Sequence, residues 1–191
     1  MTARRFQQGF TLVELLIIIA FIAVLAGVLL VAINPVQQLA KARDTGRISA
    51  ISQIGRSLEA YAANNNNNSV YVPETPTWLD ALKTAGELSV LPSAITYGST
   101  TIVTCTTGAI ATGGVQNQYC YRATGATVVD TAGPIVAYTR LEATANISKC
   151  TGAGPWNAYF VYSSFDGKAG FVCFTQASAT EPSPGAQTFI P

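Results

Sequence analysis

Histidine is absent from this chain, and with it go the commonest general base and a common zinc ligand. Charge is scarce: 11 Lys and Arg and 10 Asp and Glu make up 11% of the 191 residues. A nucleic-acid binder concentrates positive charge on one face, and a net charge of +1 leaves little for that. No serine sits in a Gly-x-Ser-x-Gly elbow, and no glycine-rich loop ends in the Lys that a phosphate cradle needs. Asp130, Glu142 and Asp166 are the acids considered for an oxygen-ligand calcium site. Their spacing is unlike a Asp-x-Asp-x-Asp-Gly loop, so they read as surface or turn acids. Cysteine is missing from the first 104 residues. The four that follow (Cys105, Cys120, Cys150, Cys173) lack the short paired spacing of a zinc thiolate. The expectation is a non-enzyme with no metal and no cofactor.

What the chain does have stands at its start. Residues 1–9 read MTARRFQQG, and FTLVELLIIIAFIAVLAGVLLVAI follows. From Leu15 to Ile33 there are 19 uncharged, almost wholly apolar residues, enough to span a bilayer as a helix. A secretory signal puts its apolar core before the cut site; here the polar piece comes first. Glu14 sits at the lip of the run. An acid at the centre of a spanning helix costs roughly 2.5–3.5 kcal/mol, so such residues usually have a partner. Near the end of a helix the same acid can instead snorkel to the headgroups.

Gly9-Phe10-Thr11-Leu12-Val13-Glu14-Leu15-Leu16, after a short leader carrying Arg4 and Arg5, resembles the class III signal of the type IV pilin and pseudopilin family. One departure is Gln8, where the family often has a basic residue. The resemblance implies that a membrane-embedded prepilin peptidase cuts between Gly9 and Phe10 and methylates the new Phe10 amine. It further implies that the amine meets the Glu14 carboxylate of a neighbouring copy. An unpaired Glu14 is penalised, so only one axial offset satisfies it. The partners implied are further copies of the chain in a homopolymer, the peptidase, a pilus or secretion assembly platform, and membrane lipid before assembly. Nucleic acid is not expected as a partner of the subunit.

Beyond Pro35, Leu39, Ala42, Ile48, Ile51, Ile54, Leu58 and Tyr61 recur at three- and four-residue spacing, an amphipathic helix. Helix is thus expected from about Phe10 to about Ala63, some 80 Å if unbroken. The Asn64–Asn68 run ends it. Gly27 and Pro35 are the candidate helix breaks, read either as a static kink or as a segment that unwinds on assembly. Gly46 and Gly55 mark possible close approach of the sheet or a neighbour. Lys41, Arg43, Asp44 and Arg47 have three readings: lipid phosphate contacts, pairs with acids of neighbouring copies, or a solvated face, the last being usual for a charge run.

The domains expected are a leader (1–9), an assembly half of the helix (10–35), an amphipathic half (36–63) and a β-rich head (64–191). Residues 1–63 carry six basic and three acidic residues, and 64–191 carry five and seven. Four cysteines outside the apolar run indicate disulfides in an oxidising compartment. Of three pairings, Cys105–Cys120 with Cys150–Cys173 is favoured. Thr77–Asp80 reads as a capping box for a short helix from Trp78 to Ala85 closed by Gly86, with Trp78, Leu79 and Leu82 inward. Thr101–Cys105, Gln118–Ala123, Ile135–Glu142, Ala158–Phe165 and Lys168–Phe174 read as strands, the last two joined by an Asp166-Gly167 two-residue turn. The tail from Ser178, with three prolines, is expected to be loosely held. Asn67 and Asn146 begin glycosylation-like triplets that occur readily by chance.

The fold expected is α+β and pilin-like: one long N-terminal helix whose back half packs on an antiparallel sheet of about four strands. The function expected is that of a structural subunit of a type IV pilus-like filament. It would be held in the cytoplasmic membrane as a precursor and become extracellular or periplasmic after assembly. A pseudopilin of a type II secretion system is the close alternative. A membrane-tethered binding domain that never polymerises is the distant one, and Glu14 with the reversed leader speaks against it.

Overall fold

The computed structural model describes residues 9–64, 70–98, 105, 114–124, 132–152, 154–176 and 181–191. It divides into two compact units, Met1–Gln38 and Leu39–Pro191. The second begins upstream of the expected head because the amphipathic helix contributes to its core.

In the first unit, α1 (Leu12–Ile33) is capped by Thr11, whose side chain accepts from the Glu14 N–H at 3.3 Å. Gly27 lies inside α1 and does not interrupt it. The break falls at Asn34, whose backbone is left-handed at φ 46° and ψ 74°. Asn tolerates that conformation, and the proline after it disfavours right-handed helix at the same position. α2 (Pro35–Asn64) therefore starts at Pro35, with the Asn34 side chain accepting from the Gln37 N–H. The helical stretch expected from 10 to 63 is thus two helices that meet at Asn34 and Pro35, next to the expected Pro35 break.

α2 buries Ile51, Ile54, Leu58 and Ala62 in the second unit. Leu39 and Ala42, expected on the greasy face, are exposed; the buried face runs instead through Ala40, Asp44 and Arg47. Gly55 explains itself: any Cβ there would enter the Tyr162 ring. Gly46 has nothing within 4 Å of such an atom.

α3 (Trp78–Thr84) buries Trp78, Leu79 and Leu82. The capping box is not formed, since Thr77 makes no side-chain cap bond. Gln116 supplies the cap from elsewhere, its Oε1 accepting from the Leu79 N–H at 2.7 Å while its Nε2 donates to Asp80. Gly86, at φ +85°, takes the left-handed position after the helix.

The sheet is a five-stranded antiparallel meander: β1 (Val115–Gln116), β2 (Tyr119–Ala123), β3 (Ile135–Arg140), β4 (Trp156–Ser163) and β5 (Lys168–Thr175). A short α4 (Thr144–Ile147) lies between β3 and β4. β2 pairs with Val115–Gln116 on one side; Thr101–Thr104 lie outside the described residues. The β4–β5 connection is four residues, 164–167, rather than a two-residue turn. Asp166 closes it by accepting from the Ser163 hydroxyl at 2.7 Å, and Gly167 supplies φ +62°.

One sheet face packs on α2 and α3 through Tyr121, Ala137, Phe160 and Tyr162. The other gathers Cys120, Val136, Tyr138, Tyr159 and Val172. Cys105 is bonded to Cys120 and Cys150 to Cys173. The tail is not loose over residues 181–191. Glu181 is buried and accepts from Tyr138 at 2.8 Å, Phe189 packs on Gly170, and Ile190 donates its N–H to the Phe171 carbonyl.

Candidate assembly helix and polar joint

The N-terminal site is built on the start of α1. Phe10 is 77% exposed, and Gly9 and Glu14 are exposed as well. Among the described residues, Glu14 bonds only within its own turn, where the Thr11 hydroxyl donates to its carboxylate at 3.4 Å. That bond is long and solvent-accessible, and a stronger donor would displace it. Downstream, Leu12–Leu29 forms a helix long and apolar enough to cross a membrane, and none of it is buried. Every described side chain of α1 faces outward. Left in water, that surface would aggregate, so it requires lipid or other apolar helices.

The second constellation lies within Leu39–Pro191. Asp44 is fully buried and Arg47 is 4% exposed. The Asp44 carboxylate accepts from Arg47 Nη1 at 2.6 Å, Ala143 N at 2.9 Å, Glu142 N at 3.1 Å and Asn146 Nδ2 at 2.7 Å. Arg47 Nη2 donates to the Thr96 carbonyl at 2.9 Å and to Glu142 at 3.1 Å, and its guanidinium lies 4.2 Å over the Tyr97 ring. Arg43 pairs with Glu142, whose other oxygen accepts from the Gly98 N–H at 2.8 Å. Burial opposes the charge on Glu142. The bonds from Arg43 and Gly98, and the Arg47 charge, outweigh it and hold the carboxyl below its usual range.

This joint corrects the reading of the charge run. Arg43, Asp44 and Arg47 are neither a solvated face nor free for lipid or neighbouring acids; they tie α2 to β3's exit, α4 and the 96–98 segment. Lys41 is exposed and, among the described residues, has no such bond. The signal was in the spacing. Ala40, Asp44, Arg47, Ile51, Ile54, Leu58 and Ala62 step by four and three, so two charges occupy positions on the buried stripe. Asn146 is engaged with Asp44, and Asn67 lies outside the described residues. Glu142 belongs to the joint and Asp166 to its turn; Asp130 lies outside the described residues. Among the described residues no group of acids, Cys or His is placed to hold a metal ion.

Residues 4–30 match the family model of the prokaryotic N-terminal methylation motif. The chain thus carries the class III signal of type IV pilin and pseudopilin precursors. Its α+β architecture, an N-terminal helical segment followed by a five-stranded antiparallel sheet, is consistent with a pilin-like fold. Searches of the curated proteins and of the solved structures return no match.

Proposed function

We propose that this protein is the structural subunit of a type IV pilus-like filament. The reading rests on one observation: a methylation motif at residues 4–30 opens a helix whose described side chains are, Glu14 apart, apolar all round and exposed throughout. The precursor sits in the cytoplasmic membrane through α1. A prepilin peptidase cleaves between Gly9 and Phe10 and methylates the Phe10 amine. The assembly platform then moves α1 from lipid into a bundle of α1 helices from other copies, where the apolar circumference is again covered. There Glu14 accepts from the Phe10 ammonium of the next copy, a charge-assisted bond stronger than its present one from Thr11. The pair sets register more than it adds stability, because desolvation offsets much of its attraction.

Two measurements test this. Mass spectrometry of the protein from its native cell should show a chain beginning at methylated Phe10. Glu14→Ala should be processed normally yet yield no sheared surface fibres in negative stain. Normal fibres from Glu14→Ala would remove the register role, and a chain that keeps residues 1–9 would remove the reading altogether. Fibre length and dependence on a secretion ATPase distinguish a pilus from a short pseudopilus.

A further inference from the structure

The chain enters the second unit at Leu39. Any pull exerted on the head through the N-terminal segment enters along α2. The first side chains of α2 to engage the head are Ala40, Arg43, Asp44 and Arg47, and three of these four are in the polar joint. Later turns bury Ile51, Ile54 and Leu58, contacts that are apolar and non-directional, and add hydrogen bonds from Ser57 to the Glu87 carbonyl and from Tyr71 and Tyr162 to Glu59. The joint differs in holding buried ion pairs and in coming first. Within five residues, Arg43, Asp44 and Arg47 bond to Thr96, Glu142, Ala143 and Asn146, on two separate segments of the head.

From this placement we infer that the Asp44–Arg47–Glu142 joint is a mechanical clamp, which keeps the start of α2 seated when the head is pulled through its N-terminal link. Directional bonds between charged groups resist displacement over a short distance. Apolar contacts can slide and re-form at little cost, because the hydrophobic effect has no preferred direction. A charged network in this position costs desolvation and is weak evidence of equilibrium stability. Its value is then where it sits: ahead of the apolar stripe on the path by which force arrives. Asp44 is the pivot, since it alone accepts from the 142–146 segment and from Arg47 together. Arg43, half-exposed, adds a second strand to the clamp through Glu142.

The inference builds on the reading of α1 as an anchored helix, and its test does not need a filament. The full, folded chain in detergent micelles is pulled at constant force in two geometries, through conjugated cysteines at Gln38→Cys or at exposed Lys83→Cys, each against the C-terminus. Asp44→Asn should accelerate unfolding by about tenfold or more when pulled from position 38. Pulled from position 83, it should stay within about twofold of the parent, because contacts still intact at the barrier leave the unfolding rate unchanged. Arg43→Gln, which leaves the buried pair in place, should show the same asymmetry with a smaller acceleration. Leu58→Ala should accelerate both geometries alike. Equal acceleration of Asp44→Asn in the two geometries, or none at position 38 for either joint variant, overturns the clamp while leaving filament assembly untouched. An absence of fibres in cells with the asymmetry intact would overturn the filament reading instead.

Discussion

α1 and α2 follow one another with a single residue between them, and they sort their side chains by opposite rules. In α1, Leu25 is 62% exposed and Ile22 58%. In α2, Asp44 is fully buried while Leu39 is 60% exposed. Apolar character alone therefore does not place a residue inside this protein. α2 folds onto partners the chain itself supplies, and its buried charges are tolerated because every one is bonded. α1 has no such partners among the described residues, so its apolar surface awaits an environment the monomer does not contain. A helix with apolar residues on all sides is a helix meant for lipid or for a bundle.

The sharpest way to break that comparison is to make the same deletion in each helix. Leu58→Ala should destabilise the head by about 3 kcal/mol, since Leu58 is fully buried and leaves a cavity. Leu25→Ala should leave head stability unchanged. Both tryptophans, Trp78 and Trp156, lie in the head, so fluorescence during urea unfolding of the micelle-bound chain reports that unit alone. A head that loses stability with Leu25→Ala would mean that it draws support from α1.

Much of this contrast was legible in the sequence, for particular reasons. The apolar run is longer than any core helix needs, and Gly9-Phe10 with Glu14 stands where no ordinary anchor requires it. Trp78, Leu79 and Leu82 could be placed inward from their spacing and from Gly86 behind them. The joint is hidden in the sequence because charge ordinarily marks solvent, although Asp44 and Arg47 fall on the stripe set by Ile51, Ile54 and Leu58. Gln116 as the cap of α3 was beyond local reading: it lies 37 residues from Leu79, and no short-range pattern links them. The tail misled for a similar reason. Three prolines read as loose chain, yet Glu181, Phe189 and Ile190 find partners on β3 and β5 that only the folded sheet brings into reach.

Two glycines of α2 sharpen the comparison within one helix. Gly55 lies under Tyr162, so Gly55→Ala forces the ring aside and should cost about 1–3 kcal/mol. Gly46 has open space where a Cβ would go, so Gly46→Ala should raise stability by up to about 1 kcal/mol through helix propensity alone. Urea midpoints moving in opposite directions would confirm that one glycine serves the head and the other does not. If Gly46→Ala also prevents fibres from forming, its small size serves contact with another copy.

The smallest effect concerns the joint's response to acid. Glu142 is held ionised below the ordinary carboxylate range by Arg43, Gly98 and Arg47, against its burial. A carboxyl whose pKa is lower folded than unfolded releases its proton more readily in the native state. Its contribution to stability is therefore complete above the unfolded-state value and is lost as pH falls through the folded one. Glu142→Gln keeps the shape and one acceptor but removes that titration. The parent should be the more stable protein at neutral pH. The gap should close as the pH drops below the ordinary range of a glutamate, with other carboxylates cancelling in the difference. A gap that stays constant from neutral to acid pH would show that the joint works by shape and hydrogen bonding, with the charge of Glu142 playing no part in seating α2.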